Sequence, residues 1–334
     1  MSPTDAHRYV LLLYQNLLKR EPAPLELEHW VTVTRGETSA ENIFYAFIRS
    51  EEYKLKNSVA SIFPSGHYYS AIVDPSTVSE YVQRERQTDP DSISGIDVPL
   101  RRMEEFWQRS SSVIAETPFH ELQNEHHRFY YDNNIFPYGD AITLRAMIAD
   151  LKPHNIIEIG SGFSSACMLD CADEFGLDTE FTFIDPYPER LKRLLNLNDG
   201  RRVTIVELPV QKTDIRLYSS LGPGDILFID STHVLKTGSD VHYELFHILP
   251  TLRKGVIVHF HDIQFPFEYP DQWIFRNNHS WNEIYALRAF LMYNTNFRIR
   301  FWGSCFAKVR TKTVSEVFPL FLKNPGGSLW IERI

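Results

Sequence analysis

The residues that could do chemistry in this chain are carboxylates, imidazoles and glycines set at the ends of short apolar runs. Asn155-Ile-Ile-Glu-Ile-Gly-Ser-Gly162 carries Glu158, Gly160 and Gly162. Phe181-Thr-Phe-Ile-Asp185 ends in Asp185, and Asp225-Ile-Leu-Phe-Ile-Asp-Ser-Thr-His233 carries Asp230 and His233. Gly255-Val-Ile-Val-His-Phe-His-Asp262 ends in His261 and Asp262. Glycine permits a positive φ and an approach that a side chain would block. A strand, a glycine turn and a helix therefore present backbone N–H groups to a nucleotide-like ligand. An acidic residue just after the second strand accepts both hydroxyls of a ribose, as NAD enzymes also require. Ser165 stands where a dinucleotide fingerprint needs glycine or alanine, which weakens an NAD reading. Glu158 is unusual inside an apolar run and should have a task. Carboxylates beside imidazoles can move a proton or hold a divalent cation.

The elements that must position these groups alternate. Ile156–Ile159, Glu180–Ile184, Val203–Leu208, Asp225–Ile229 and Gly255–Phe260 read as strands, because buried parallel strands are short continuous apolar runs. Helices are expected over Ser164–Phe175, Glu189–Leu195, Val241–Leu249 and Trp281–Tyr293 between or after them. Two late strands, Arg298–Val309 and Ser328–Glu332, complete an α/β, doubly wound, Rossmann-like sheet that is mostly parallel with an antiparallel end. In such a sheet ligands bind beyond the carboxyl ends of the strands, where the candidate residues lie. Asp140 is placed to N-cap a helix over Ala141–Leu151 that feeds the first strand.

Upstream, residues 1–57 read as a small all-helical domain. Tyr9, Leu13 and Leu17 recur at helical spacing with Val10 and Tyr14 beside them. Pro22 and Pro24 stop that helix, and Trp30 lies on a second over Leu25–Val33. Thr38-Ser-Ala-Glu41 is a capping-box signature that opens a third, with Ile43, Phe44, Phe47 and Ile48 inward. Residues 58–134 read as linker and pocket cover, with a helix over Arg101–Ala115. The aromatic and polar stretch His126–Tyr138 reads as a buried cluster or as a wall over the glycine turn. Residues 135–334 form the sheet domain.

Composition narrows the classes. With 34 Lys and Arg against 43 Asp and Glu, the net charge of −9 argues against a general nucleic-acid binder. No segment has the roughly 18 unbroken apolar residues of a membrane span, and the first residues lack a signal-peptide pattern. Cys167, Cys171 and Cys305 cannot make a disulfide framework, which fits a reducing cytoplasm.

The motifs as a set, Glu-x-Gly-x-Gly-x-x-Ser, Phe-Ile-Asp-Pro, Gly-Asp-Ile-Leu-Phe-Ile-Asp-x-x-His and His-Asp-Ile, resemble class I S-adenosylmethionine-dependent methyltransferases. More narrowly they are similar to the bacterial branch of cephalosporin hydroxylase and rhamnosyl O-methyltransferase enzymes. The resemblance covers residues 135–334. It implies that Glu158, Gly160 and Gly162, with Ser164, cradle the methionine part of the cofactor. Asp185 would hold the ribose, and Pro209-Val-Gln211 the adenine edge. Asp230 would lie near the cofactor amino group or a metal. His261, Asp262 and His233 are the candidate catalytic residues. Asp230, His261 and Asp262 are also candidate ligands for Mg, Mn, Fe or Zn, among which the sequence does not choose. Catechol-type relatives carry an acidic residue and Asn in place of His261-Asp262. The acceptor implied is a hydroxyl of a sugar, glycan or other small molecule. The rivals are a metal-dependent oxygenase or hydroxylase on the same scaffold and a non-catalytic binding module. The first fifty residues, with Leu-Leu-x-Arg-Glu-Pro and Phe-Ile-x-Ser-Glu-Glu-Tyr, resemble a helical module similar to phycobilisome-linker repeats. It would dock a protein partner or support oligomerisation.

Overall fold

Every apolar run that ends in a candidate residue forms a strand. In the computed structural model, which describes residues 3–36, 40–56 and 63–334, these are β1 (Asn155–Ile159), β2 (Glu180–Ile184), β3 (Val203–Val206), β4 (Ile226–Ile229) and β5 (Ile257–Phe260). β6 (Phe297–Trp302) and β7 (Leu329–Arg333) complete a seven-stranded sheet in the order β3-β2-β1-β4-β5-β7-β6. The first five strands are parallel; β7 pairs antiparallel with both β5 and β6. Strand order reverses between β1 and β4, so this sheet has its switch point beside the glycine turn. The doubly wound fold with its antiparallel end is as expected.

The chain divides into two compact units at Asp74/Pro75. In the first, α1 (Pro3–Leu17), α2 (Pro24–Arg35), α3 (Ala40–Arg49) and α4 (Glu51–Lys56) enclose a core of Val10, Leu13, Tyr14, Leu18, Ile43 and Phe47. Ile43 and Phe47, four apart, share the inner face. Phe44, expected inward, is 38% exposed because it lies on the next stripe of the helix. Arg20 ties the unit together through Glu26 at 2.7 Å and Glu52 at 2.6 Å. Thr38 and Ser39 of the capping-box signature, and the 57/58 boundary, lie outside the described residues.

In the second unit, α5 (Ser79–Glu85), α6 (Leu100–Arg109) and α7 (Ser111–Ala115) precede α8 (Tyr138–Leu151). The single helix expected over Arg101–Ala115 is thus broken at Ser110, and Ile114 rather than Val113 is the buried residue of its second part. Then come α9 (Phe163–Phe175), α10 (Glu189–Leu194), α11 (Arg216–Ser219), α12 (Asp240–Tyr243), α13 (Glu283–Leu291), α14 (Gly303–Val309) and α15 (Thr311–Val317). Three local expectations need correction. The late strand ends at Trp302, since Trp302, Cys305, Phe306 and Val309 repeat at i, i+3, i+4, i+7 and form one face of a helix. The helix over 241–249 starts as α12 and passes into a π-helical turn, Glu244–Ile248, which carries Glu244 into the interior. Asp140 is no N-cap: Pro137 holds that position, and Asp140 accepts from the Ser328 N–H at 3.0 Å and its hydroxyl at 2.6 Å.

The segment before α8 is anchored by Arg128. Its guanidinium donates to Asp170 and Asp199, each at 2.6 Å, and to Asp173 at 2.8 Å. Asp170 and Asp173 belong to α9, so the segment is tied to the helix that follows the glycine turn. Its rings form a buried cluster of Phe129, Tyr131, Phe136 and Tyr138. Tyr130 packs on Phe163, just past the turn, at 5.3 Å. The stretch forms the buried cluster and packs against the first residue of α9.

Candidate active site

The glycine turn is built by close approach. Gly160 has φ +80°, and a Cβ there would meet the Asp230 carbonyl oxygen at 1.9 Å. The turn is pinned by the Gly160 N–H donating to the Ile184 carbonyl and the Asp230 N–H donating to Ile159, each at 2.9 Å. Gly160, Asp185, Pro209, Gln211, Asp230 and Thr232 are on the wall of a cleft of about 380 Å³, within the range of small-ligand sites. Asp185 accepts from the Ser161 N–H at 3.1 Å and the Ser161 hydroxyl at 2.9 Å. Its other oxygen accepts from the Tyr187 N–H at 2.8 Å. The carboxylate is therefore oriented while half-buried on the cleft wall. Gln211 reaches across to the Gly238 carbonyl at 2.9 Å and forms the far rim.

Glu158, Gly162 and Ser164 lie behind that wall. Glu158 is fully buried, and its two oxygens accept from the hydroxyls of Ser164 and Ser165. Burial pushes its carboxyl up to about 8 against the opposing pull of those hydroxyls. Ser165 also accepts the Gly162 N–H at 3.0 Å. The serine in the third fingerprint position thus links the turn, the helix start and the acid beneath.

Beyond Asp230 the strand ends converge on an acid–imidazole network. His233 Nε2 lies 3.7 Å from Asp230 Oδ1 and 3.5 Å from Asp262 Oδ2. His261 Nε2 lies 3.5 Å from Asp262 Oδ1. Both histidines are buried. Burial alone would lower the His261 pKa, but Asp230, Asp262, Asp140 and Glu283 outweigh it and hold it at about 9. His233 is likewise raised: burial opposes protonation, while Glu283, Asp262 and Asp230 favour it. The Asp262 carboxyl sits above its ordinary range through burial, with His261 and His233 pulling the other way. His259, one layer in, stacks on Phe228 at 3.7 Å and is held well below the usual histidine range by burial.

The expected metal set finds no support. Among the described residues no three His, Cys, Asp or Glu side chains converge as metal ligands. Asp230, His261 and Asp262 belong instead to the ion-pair network with His233.

Three residue groups were not expected at the site from the sequence. Glu283, at the start of α13, bonds His233 Nδ1 at 2.8 Å. Asp140 and Ser328 close the network from below. Gly326 and Gly327 let the chain pass against it, since a Cβ on Gly327 would meet the Asp262 Cα at 2.5 Å. The Pro325-Gly-Gly-Ser328 string is the one sequence signal that could have marked this close approach.

Residues 157–263, from the middle of β1 to just past Asp262, match a family model described as a methyltransferase domain. Residues 2–57 match a model described as a domain of unknown function, DUF4214. Over 174 residues the chain is 33% identical to an uncharacterized protein of Archaeoglobus fulgidus, covering 49% of this chain and 75% of that one. Among solved structures, an S-adenosylhomocysteine-bound methyltransferase of Podospora anserina, PaMTH1, is 16% identical, with 82% of this chain and 99% of that chain covered and a TM-score of 0.39. An apo structure of CmcI is 16% identical, with 60% and 72% covered and a TM-score of 0.37. The sheet unit is a methyltransferase domain. The chain carries this methyltransferase domain, with a DUF4214 module at its N-terminal side. Among the described residues no helix is long and apolar enough to cross a membrane.

Proposed function

We propose that the protein methylates an oxygen, on a hydroxyl of a sugar, glycan or other small molecule. The observation that carries this reading is the position of Asp230, which is at once on the cleft wall and 3.7 Å from His233. A group able to take a proton therefore sits beside the place where the cofactor would end. The cleft suits S-adenosylmethionine: the missing Cβ at Gly160 leaves room for close approach, and Asp185 is held in place to accept hydrogen bonds from hydroxyls. When bound, that cofactor supplies an electrophilic methyl carbon on sulfur. Gly160, Asp185, Gln211 and Asp230 would hold it, with Glu158 and Ser164 bracing the turn from behind. His233, His261 and Asp262 would orient the acceptor hydroxyl and take its proton. Half-buried rings border this network: Trp281 lies 4.5 Å from His233, with His279 at 4.3 Å and Trp273 at 5.3 Å from Trp281. Aromatic surface next to carboxylates fits a sugar ring, which has apolar C–H faces and polar edges. The N-terminal module, with its own core, would dock a partner or support oligomerisation and take no part in the chemistry.

The test is to incubate the protein with isotopically labelled S-adenosylmethionine and a panel of glycosides and hydroxylated metabolites, and to identify products by mass spectrometry. Methyl ethers are expected. Labelled methylamines or thioethers as the sole products would overturn the oxygen assignment.

Two further results are expected. Asp185→Ala should weaken S-adenosylhomocysteine binding by about 1.5–3 kcal/mol, the scale of a hydrogen bond to a charged group, as measured by calorimetry. An unchanged dissociation constant would remove Asp185 from the ribose site. Turnover should also rise with pH well past neutrality. A proton acceptor must be unprotonated, and His261 is held at about 9 with His233 also raised. The ascending limb of kcat should therefore extend toward about 9 rather than level off near the ordinary histidine value of about 6.5. A plateau complete by pH 7 would exclude both imidazoles as the base.

A further inference from the structure

We propose that Glu283 is a positioning residue for His233, fixing the proton on Nδ1 and leaving Nε2 to face the acceptor beside Asp230 and Asp262. The proposal rests on the reading above that His233 takes part in methyl transfer.

Glu283 is the first residue of α13, and its side chain is 1% exposed. Its Oε2 lies 2.8 Å from His233 Nδ1. The two residues are fifty apart in the chain, so the fold brings them together. The main chain repeats the contact. The N–H groups of Asn282 and Glu283 both donate to the His233 carbonyl, each at 3.1 Å. Asn282 Oδ1 accepts from the Leu235 N–H at 2.6 Å, and its Nδ2 donates to the Leu235 carbonyl at 3.3 Å. Trp281 packs on the imidazole. Residues 281–283 thus clamp the loop on both sides of His233.

That clamp holds a conformation the loop would not keep unaided. His233 has φ +60°, a left-handed backbone that is unfavourable for a non-glycine residue. Strain of this kind persists where the surroundings impose it, which often marks a functional position. The effect is to aim one ring nitrogen. Burial raises the Glu283 carboxyl pKa, while the His233 imidazole pulls it back toward the ionised form; an ionised carboxylate only accepts hydrogen bonds, so with Glu283 ionised Nδ1 donates to it. In the neutral ring Nε2 is then the unprotonated nitrogen, and it points at the two strand-end acids. Which nitrogen carries the proton is set by the bond the other makes.

In the transfer step the acceptor O–H proton passes to Nε2. The O–H electron pair becomes available for the new oxygen–carbon bond, and the carbon–sulfur pair stays with sulfur. The imidazolium so formed is balanced by the Glu283 carboxylate, which does not itself take the proton. Glu283 also carries a cost that packing does not explain: its Oε1 is buried without a partner. A purely structural residue in an apolar setting would gain nothing from that orphaned oxygen.

The test uses the full chain and two variants, Glu283→Gln and Glu283→Met. Turnover should fall about 10–10²-fold in the first and about 10²–10³-fold in the second. The acceptor KM and the S-adenosylhomocysteine dissociation constant should stay within about threefold, since neither contact involves Glu283. Independently of activity, ring 15N spectra of histidine-labelled protein, with His233 assigned through His233→Asn, report the tautomer. The neutral wild-type ring should carry its proton on Nδ1, and Glu283→Met should move it to Nε2. Identical ring spectra, turnover within threefold of wild type, or a loss matched by an equal loss of cofactor affinity would each overturn the proposal. If Glu283→Met does not fold, the isosteric Gln variant decides it by the same measures. A wild-type protein that methylates nothing would sink the functional reading, while the ring spectra still judge Glu283.

Discussion

Replacing Asp262 by alanine should lower methyl-transfer turnover by about 10²–10⁴-fold, the usual cost of losing a group that handles the transferred proton. The S-adenosylhomocysteine dissociation constant should move less than about threefold. The asymmetry follows from the geometry. The cleft wall is made by the ends of β1, β2 and β4 with the Pro209–Gln211 turn, whereas Asp262 ends β5 and contacts His233 and His261 at 3.5 Å. Its removal strips a carboxylate from both imidazoles at once. His233 and His261 should then titrate lower, because an attractive charge has gone and burial remains. The ascending limb of the pH profile should shift down in the variant even as its height falls. Single-turnover kinetics and calorimetry on the same preparation check both parts. Wild-type turnover in Asp262→Ala, or cofactor affinity lost in step with turnover, would place Asp262 outside the chemistry.

Gly160→Ala should be the most damaging single methyl addition at the site. Two costs fall together. The added Cβ would sit 1.9 Å from the Asp230 carbonyl oxygen, which is backbone and cannot rotate away. The residue would also hold φ +80°, a region that disfavours L side chains by roughly 1–2 kcal/mol. With overpacking at about 1–3 kcal/mol, a loss of about 3 kcal/mol or more in unfolding free energy is expected. Cofactor binding should fail with it, since relief of the clash must spread β1 from β4 at the cleft floor. Gly176→Ala is the control, as it has positive φ but nothing within 4 Å of the added carbon. Urea denaturation of the two variants separates clash from backbone strain. Equal losses would show that the approach to Asp230 does not matter.

Much of this arrangement was legible in the residues. A buried parallel strand is read from its apolar run and its polar terminus, and Ile156–Ile159, Glu180–Ile184 and Ile226–Ile229 have both. Knowing which residues end such strands is enough to bring Asp230, His261 and Asp262 to one edge of the sheet. What escaped detection depends on contacts without a period. Glu283 is one of many acids at a helix start, and only the folded loop after β4 gives it a histidine to hold. Asp140 obeys the local rule for a helix cap, yet Ser328, far along the chain, offers it two hydrogen bonds inside the protein. Trp302–Val309 misled because a dense apolar stretch satisfies strand and helix patterns alike until its spacing is counted. The metal expectation followed residue types alone; in the fold Asp262 lies 3.5 Å from both His233 and His261.

The insertion of β7 between β5 and β6 has a bearing on the order in which a nascent chain can mature. Residues 325–333 emerge from the ribosome after every strand of the parallel sheet. Until they do, β5 has no neighbour on its outer side, Asp140 lacks Ser328, and nothing presses on the main chain at Asp262. The glycine turn, by contrast, needs only β1, β2 and β4. During synthesis the strands around the glycine turn can therefore pair while the chain at Asp262 is still uncovered, and β7, which follows every parallel strand, closes that side of the sheet.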